Sequence, residues 1–160
     1  MSDRFAELEP SLDRIAANRA DVDSLLARTE KDLRTAEKLR DDDPAWALTI
    51  AHQAIYNGCV ALMAAHGYRP RINGHHRTAI QFARLALPGQ AGLLRQADLL
   101  RRERHRAVYG GLHAVTLTEV DASLQLARQL LPVLKKTALA VLSEGKAHGG
   151  DAAGKERPQE

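Results

Sequence analysis

The chain has 160 residues, 44% of them hydrophobic but only 4% aromatic, and a formal net charge of +3. That length fits one domain with a short tail, and leucine and alanine must supply the packing, which disfavours a sandwich or barrel and favours helices. The 23 basic residues are nearly balanced by 20 acidic ones, so overall charge selects no anionic partner and local clustering has to do so.

The first residues, Met1-Ser2-Asp3-Arg4-Phe5, are charged and no apolar signal region follows them. Residues 3–18 carry Phe5, Leu8, Leu12 and Ile15 at helical spacing, with Pro10 kinking the run or ending a first turn. Residues 20–40 form a second amphipathic helix, with Leu25, Leu26, Leu33 and Ala36 inward and Glu30, Lys31, Lys38 and Arg40 on a solvated face. Asp43 can cap a third helix, and Pro44 suits its first position because that N–H has no partner anyway. This helix is expected to reach about His66. Its broad apolar face of Ala47, Ile50, Ala51, Ala54, Ile55, Cys59, Leu62 and Met63 makes it the central, most buried one. Cys59, the only cysteine, excludes an intramolecular disulfide and reads as a small core residue. Gly67 ends the helix as a left-handed cap.

The stretch 68–74 is a loop by its proline and Asn-Gly content. A helix of 75–87 offers Ile80, Phe82, Ala83 and Leu85 for packing, and Pro88-Gly89 break it. The next helix spans about 90–109 and stops at Gly110-Gly111. Thr118 starts the last, with Val120, Leu124, Ala127, Leu131, Leu134, Leu139 and Leu142 inward and a kink expected at Pro132. From Gly145 the composition predicts a disordered tail. No strand pattern is visible, and no run of about 20 apolar residues suggests a membrane span. The expected fold is an all-α, up-and-down bundle of four or five helices. The expected divisions are an N-terminal helix or arm (1–21), the bundle (22–144) and the tail (145–160), in a reducing, cytoplasmic setting away from membranes.

Few motifs carry chemistry. His75-His76 point about 100° apart on a helix, which suits a shared metal poorly, and His52 and His66 are too far apart for a one-turn pair. They read as helix-start or packing residues, and neither a metal nor a cofactor is expected. No phosphate-cradling glycine loop, nucleophile elbow or isolated carboxylate pair is present.

The exception is Arg101-Arg102-Glu103-Arg104-His105-Arg106-Ala107-Val108-Tyr109. An apolar stripe starting at Leu93 runs through Ala97, Leu100, Arg104 and Ala107, so Arg104 occupies a core position. A guanidinium cannot lose its proton, and burying it unpaired is costly. A carboxylate, a subunit interface or a phosphate must meet it. Arg95, Arg102 and Arg106 share the other face, with Tyr109 close by. The plain reading is a solvated helix with Arg104 paired to an acidic residue in the core. The functional reading is a phosphate-binding surface, because guanidinium forks match phosphate oxygens.

The order of features narrows the choice. Ala51-His52-Gln53-Ala54-Ile55-Tyr56, Gly67-Tyr68-Arg69-Pro70, Gly74-His75-His76 and Arg104-His105-Arg106-Ala107-Val108-Tyr109 follow one another. Together they resemble the HEPN superfamily (higher eukaryotes and prokaryotes nucleotide-binding), most of all its small bacterial members with a tyrosine-ended arginine motif. The resemblance covers about residues 22–142. It implies a helical bundle that dimerises through the motif helices and binds RNA or a nucleotide. It further implies a metal-independent ribonuclease, often a toxin, silenced by a nucleotidyltransferase partner. In that pattern Arg104 matches the motif arginine and Arg101, Arg102 and Arg106 supply further phosphate contacts. His105 stands where asparagine is usual, and Tyr109 fills the slot of the motif histidine. A free tyrosine titrates near pH 10 and is a poor base at neutrality, so the imidazole would come from His105 or from His113, which lies at the six-residue spacing from Arg106. Tyr109 is also a candidate acceptor for nucleotidylation. The alternative is a non-catalytic scaffold in which the arginine–tyrosine motif holds the dimer or a partner complex together.

Overall fold

A computed structural model describes residues 3–72, 75–110 and 114–152, and within these the side chains of residues 4–72, 75–105 and 114–145. Five α-helices carry the fold: α1 (Arg19–Leu39), α2 (Pro44–Ala65), α3 (His75–Ala86), α4 (Ala91–Gly110) and α5 (Leu117–Ala152). Short 3₁₀ segments at Asp3–Ser11 and Pro88–Gln90 complete the helical part. The all-α bundle expected from the periodicity is the observed architecture.

Local chemistry sets the helix starts. The Asn18 side chain accepts from the backbone N–H groups of Ala20 (2.8 Å) and Asp21 (3.4 Å), and Asp43 accepts from Trp46 N–H at 3.0 Å. Each satisfies a donor that the first turn leaves orphaned. Gly67 adopts φ 84°, the left-handed conformation expected of it. A Cβ there would also lie 3.1 Å from the Ile15 carbonyl oxygen, which closes the position to other residues twice over.

α2 is the core helix, packed by α1, α3 and α5. Ala51, Ala54, Ile55, Cys59, Leu62 and Met63 are buried on it. Gly58 lets α5 approach closely: a Cβ there would meet Leu131 and Leu134 methyl carbons at 3.0 Å. On α5 the predicted inward residues Val120, Leu124, Ala127, Leu131, Leu134 and Leu142 are buried. Polar clasps hold α1 on α5. Lys135 donates to Glu30 at 2.6 Å, and Arg40 forks onto both Asp121 oxygens at 2.5 and 2.8 Å.

Two expectations are corrected. Residues 3–18 are not an α-helix: the 3₁₀ run ends at Ser11 and a strand β1 (Leu12–Arg14) follows. β1 pairs antiparallel with β2 (Tyr68–Pro70), in the stretch expected to be a loop. The register sets Asp13 opposite Arg69, and Arg71 donates to Asp13 at 2.9 Å and to the Pro10 carbonyl at 2.9 Å. Pro132 lies inside α5, which runs from Leu117 to Ala152. α2 is long and apolar enough to cross a membrane by length and composition alone, and with 67% of its most apolar window buried inside the bundle it fits the core helix expected.

The N-terminal segment packs on its own bundle. Phe5 stacks on Phe82 of α3 with centroids 4.1 Å apart and planes 11° from parallel, and Leu8 and Leu12 join the same core.

Candidate functional site

α4 carries the arginine motif, and its cations divide into two sets. Arg101 and Arg102 both reach back one turn to Asp98. Arg101 Nε donates to Asp98 Oδ1 at 3.1 Å, and an Arg102 Nη lies 2.9 Å from Oδ2. The Asp98 side chain is only 16% exposed, so this carboxylate is held under two guanidiniums and offsets part of their charge.

Arg104 is half-buried and its Nε is buried. It borders a small cavity with Leu48 and His52 of α2, Leu100 and Glu103 of α4, Val115, and Glu119 of α5. The apolar stripe that placed Arg104 inward is therefore real, with Leu94 and Ala97 the deepest residues of α4. The cavity has a volume of about 10 Å³, room for one water at most. Any larger ligand must meet Arg104 from the open side.

His105 is exposed. Arg106 and Tyr109 lie on the α4 backbone, but their side chains fall outside the described residues, as does the whole of His113. Among the described residues no motif histidine lines the Arg104 cavity. The structure brings in two others, which motif spacing gave no reason to choose.

The first is His52 of α2, 7% exposed, with Nε2 3.5 Å from the buried Ser123 Oγ of α5. Burial, then Arg104 and then His76, lower its pKa from 6.5 to about 4. The second is His76, at the start of α3. Burial is again the largest cause, followed by His75, Arg104 and Arg101, and its pKa is also lowered to about 4. Both imidazoles are neutral at pH 7, as a ring out of water beside guanidiniums should be.

His76 is half-buried and belongs to a ring cluster. Its centroid is 4.1 Å from that of Tyr56 on α2, with planes 31° apart, and 4.3 Å from that of His75, with planes 45° apart. The His75–Tyr56 centroids are 5.4 Å apart. His75 Nδ1 lies 2.9 Å from the Ile72 carbonyl oxygen, a hydrogen bond that orients its ring. The adjacent histidines thus serve the α2–α3 seam as packing rings. Among the described residues no group of three or more His, Cys, Asp or Glu comes together to hold a metal.

One signal for the missed pair was present. His52 and Tyr56 stand one turn apart on the most apolar helix, where polar rings need a reason to be. Three helices thus contribute: His52 of α2 shares the cavity of Arg104, and His76 of α3, stacked on Tyr56, feels the charges of Arg104 and Arg101. Chemically, such a set can bind an anion, accept a proton and stack against a planar group.

The family model described as the HEPN domain matches residues 22–137, and the chain belongs to that family. No curated protein and no solved structure matches the chain.

Proposed function

We propose that this HEPN-domain chain binds RNA as a homodimer and cuts it without a metal, acting in the cytoplasm as the toxin-like member of a module with a nucleotidyltransferase. One observation carries the reading: half-buried Arg104 of α4 lines a cavity with residues of α2 and α5, and its charge reaches the neutral imidazole of His76 on α3. Arg104 and Arg101 bind a backbone phosphate, whose developing charge they offset. His76 accepts the proton of the ribose 2′-hydroxyl as that oxygen attacks the adjacent phosphorus. The 5′-oxygen leaves, taking a proton from water, and a 2′,3′-cyclic phosphate remains. The arriving phosphate counteracts the arginines that depress the His76 pKa, so the ring becomes a better base when substrate is bound.

The small Arg104 cavity, which cannot enclose a nucleotide, supports a homodimer that would deepen the site. In the dimer proposed here a second α4 closes the open side of the cleft. Leu99, 51% exposed on that helix, is an apolar residue available to such a contact. Tyr109, on the same helix as Arg104, is the proposed acceptor of the partner's nucleotidyl group.

The test is single-stranded RNA incubated with the full chain in excess chelator. Wild type yields fragments ending in cyclic phosphate, while Arg104→Ala and His76→Ala, folded by circular dichroism, yield none. Intact RNA with wild type, or undiminished cutting by Arg104→Ala, overturns cleavage.

A second reading, a non-catalytic scaffold, has its own observation: Asp98 already pairs Arg101 and Arg102 within one helix. In that case Arg104→Ala changes sedimentation of the dimer and leaves RNA uncut by either form.

A further inference from the structure

We propose that the rings of Tyr56, His75 and His76 form a stacking platform for an unpaired base of the bound RNA, next to the arginines that take its phosphate. The inference rests on the RNA reading above and names the substrate class, single-stranded rather than duplex RNA.

Three observations support it. The rings come from two helices and are held in contact, with centroid separations of 4.1, 4.3 and 5.4 Å. Their order is therefore fixed before any ligand arrives, and little conformational entropy remains to be lost on binding. None of the three is a core residue: each is half-buried, so the cluster keeps surface in water. A ring pair that only sealed the α2–α3 seam would gain more by full burial, as Phe5 and Phe82 do at 3% and 0% exposure.

The second observation is the flank. Ile72, whose carbonyl fixes the His75 ring, is 89% exposed. An isoleucine this open beside a ring cluster supplies an apolar edge against which a planar base loses water.

The third is the charge arrangement. His76 faces Tyr56 and His75 on one side and feels Arg101 and Arg104 from α4. Stacking rings beside guanidiniums reproduce the two needs of a single strand, a π-face for the base and a cation for the phosphate. A duplex keeps its bases stacked on one another and gains only the second.

The experiment measures fluorescence anisotropy of a labelled oligoadenylate and of an abasic ribose-phosphate strand of equal length. Both carry 2′-O-methyl groups, so neither has the hydroxyl that attacks in cleavage, and both are bound to the full chain in chelator. The protein variants are His75→Leu and His75→Phe, each confirmed folded, with Arg104 and His76 left intact because they belong to the cleavage site proposed above. Wild type is expected to prefer the base-bearing strand by about ten-fold, the worth of one good stacked base. His75→Leu removes the preference, so the two strands bind alike, and His75→Phe restores it. Equal binding of both strands by wild type overturns the platform while leaving the RNA reading intact. So does a preference that His75→Leu does not change, or tighter binding of a duplex of the same sequence. Binding of neither strand removes the RNA reading and the platform together.

Discussion

Acid should unfold this protein partly through one histidine. His52 is 7% exposed and its pKa falls from 6.5 to about 4 on folding. The groups that face it are Arg104 of α4, His76 of α3 and Ser123 of α5, with Glu103 and Glu119 around the same cavity. Because the folded value is the lower one, the unfolded chain takes up the proton first as pH falls. The stabilisation is complete above the unfolded value and is lost as pH drops from about 6.5 towards about 4. Between about pH 7 and about pH 5 the loss is on the order of 2 kcal/mol, from the proton-binding difference between the two states. The control is His52→Gln, which keeps a polar group towards Ser123 and does not titrate here. Urea denaturation of both forms at the two pH values isolates the histidine, because the carboxylates and other histidines are common to both. Wild type should lose about 2 kcal/mol more than the variant on acidification. If the two lose the same amount, His52 is not buried in neutral form and the description of the Arg104 cavity fails.

Asp98→Asn releases Arg101 and Arg102 from their shared carboxylate. On the RNA reading, binding tightens and the log–log salt slope steepens by about 0.7 for each arginine that gains a phosphate; a wild-type slope in a salt titration refutes the idea that Asp98 holds them back. Asp43→Ala removes the cap on Trp46 N–H and should lower stability by about 1 kcal/mol in urea denaturation, with no change in the denaturant slope. Burial pushes the Cys59 thiol up to about 12, so iodoacetamide at neutral pH should leave the native chain unlabelled by mass and label it fully in denaturant. Rapid labelling of the native chain would show that the α2 core opens.

The bundle was readable because its apolar residues recur at helical spacing over long runs, on α2 and α5 above all. Side-chain caps then fixed where helices begin: Asp43 and Pro44 do this for α2 by local chemistry. The β1–β2 pair was not readable for the opposite reason. Each strand has three residues, rich in Arg, Asp and Pro, and their pairing depends on a distant segment that no local window contains. The same distinction divides the site. Arg104 stood out because a permanent charge interrupted an apolar stripe on its own helix. His52 and His76 could not stand out in that way, since α2, α3 and α4 bring them to it only after folding. His105 was attractive by adjacency, yet successive helical positions point about 100° apart, and it is exposed where Arg104 is half-buried.

The charges around Arg104 explain why the imidazoles matter more than the count of arginines. Arg101, Arg102 and Arg104 are matched in number by Asp98, Glu103 and Glu119 around them, so the described part of the site is close to electrically balanced while its histidines are neutral. A phosphate arriving there gains little from net charge. It gains from guanidinium geometry and from any proton that it draws onto His76, whose depressed pKa a nearby anion raises. Proton uptake at His76 therefore favours binding, whereas proton uptake at His52 favours unfolding. The two rings share neighbours but differ in exposure, His76 half-buried and His52 buried. A ligand in contact with solvent can reach the first and not the second. On the RNA reading this difference lets the site respond to an anion without opening the core behind it.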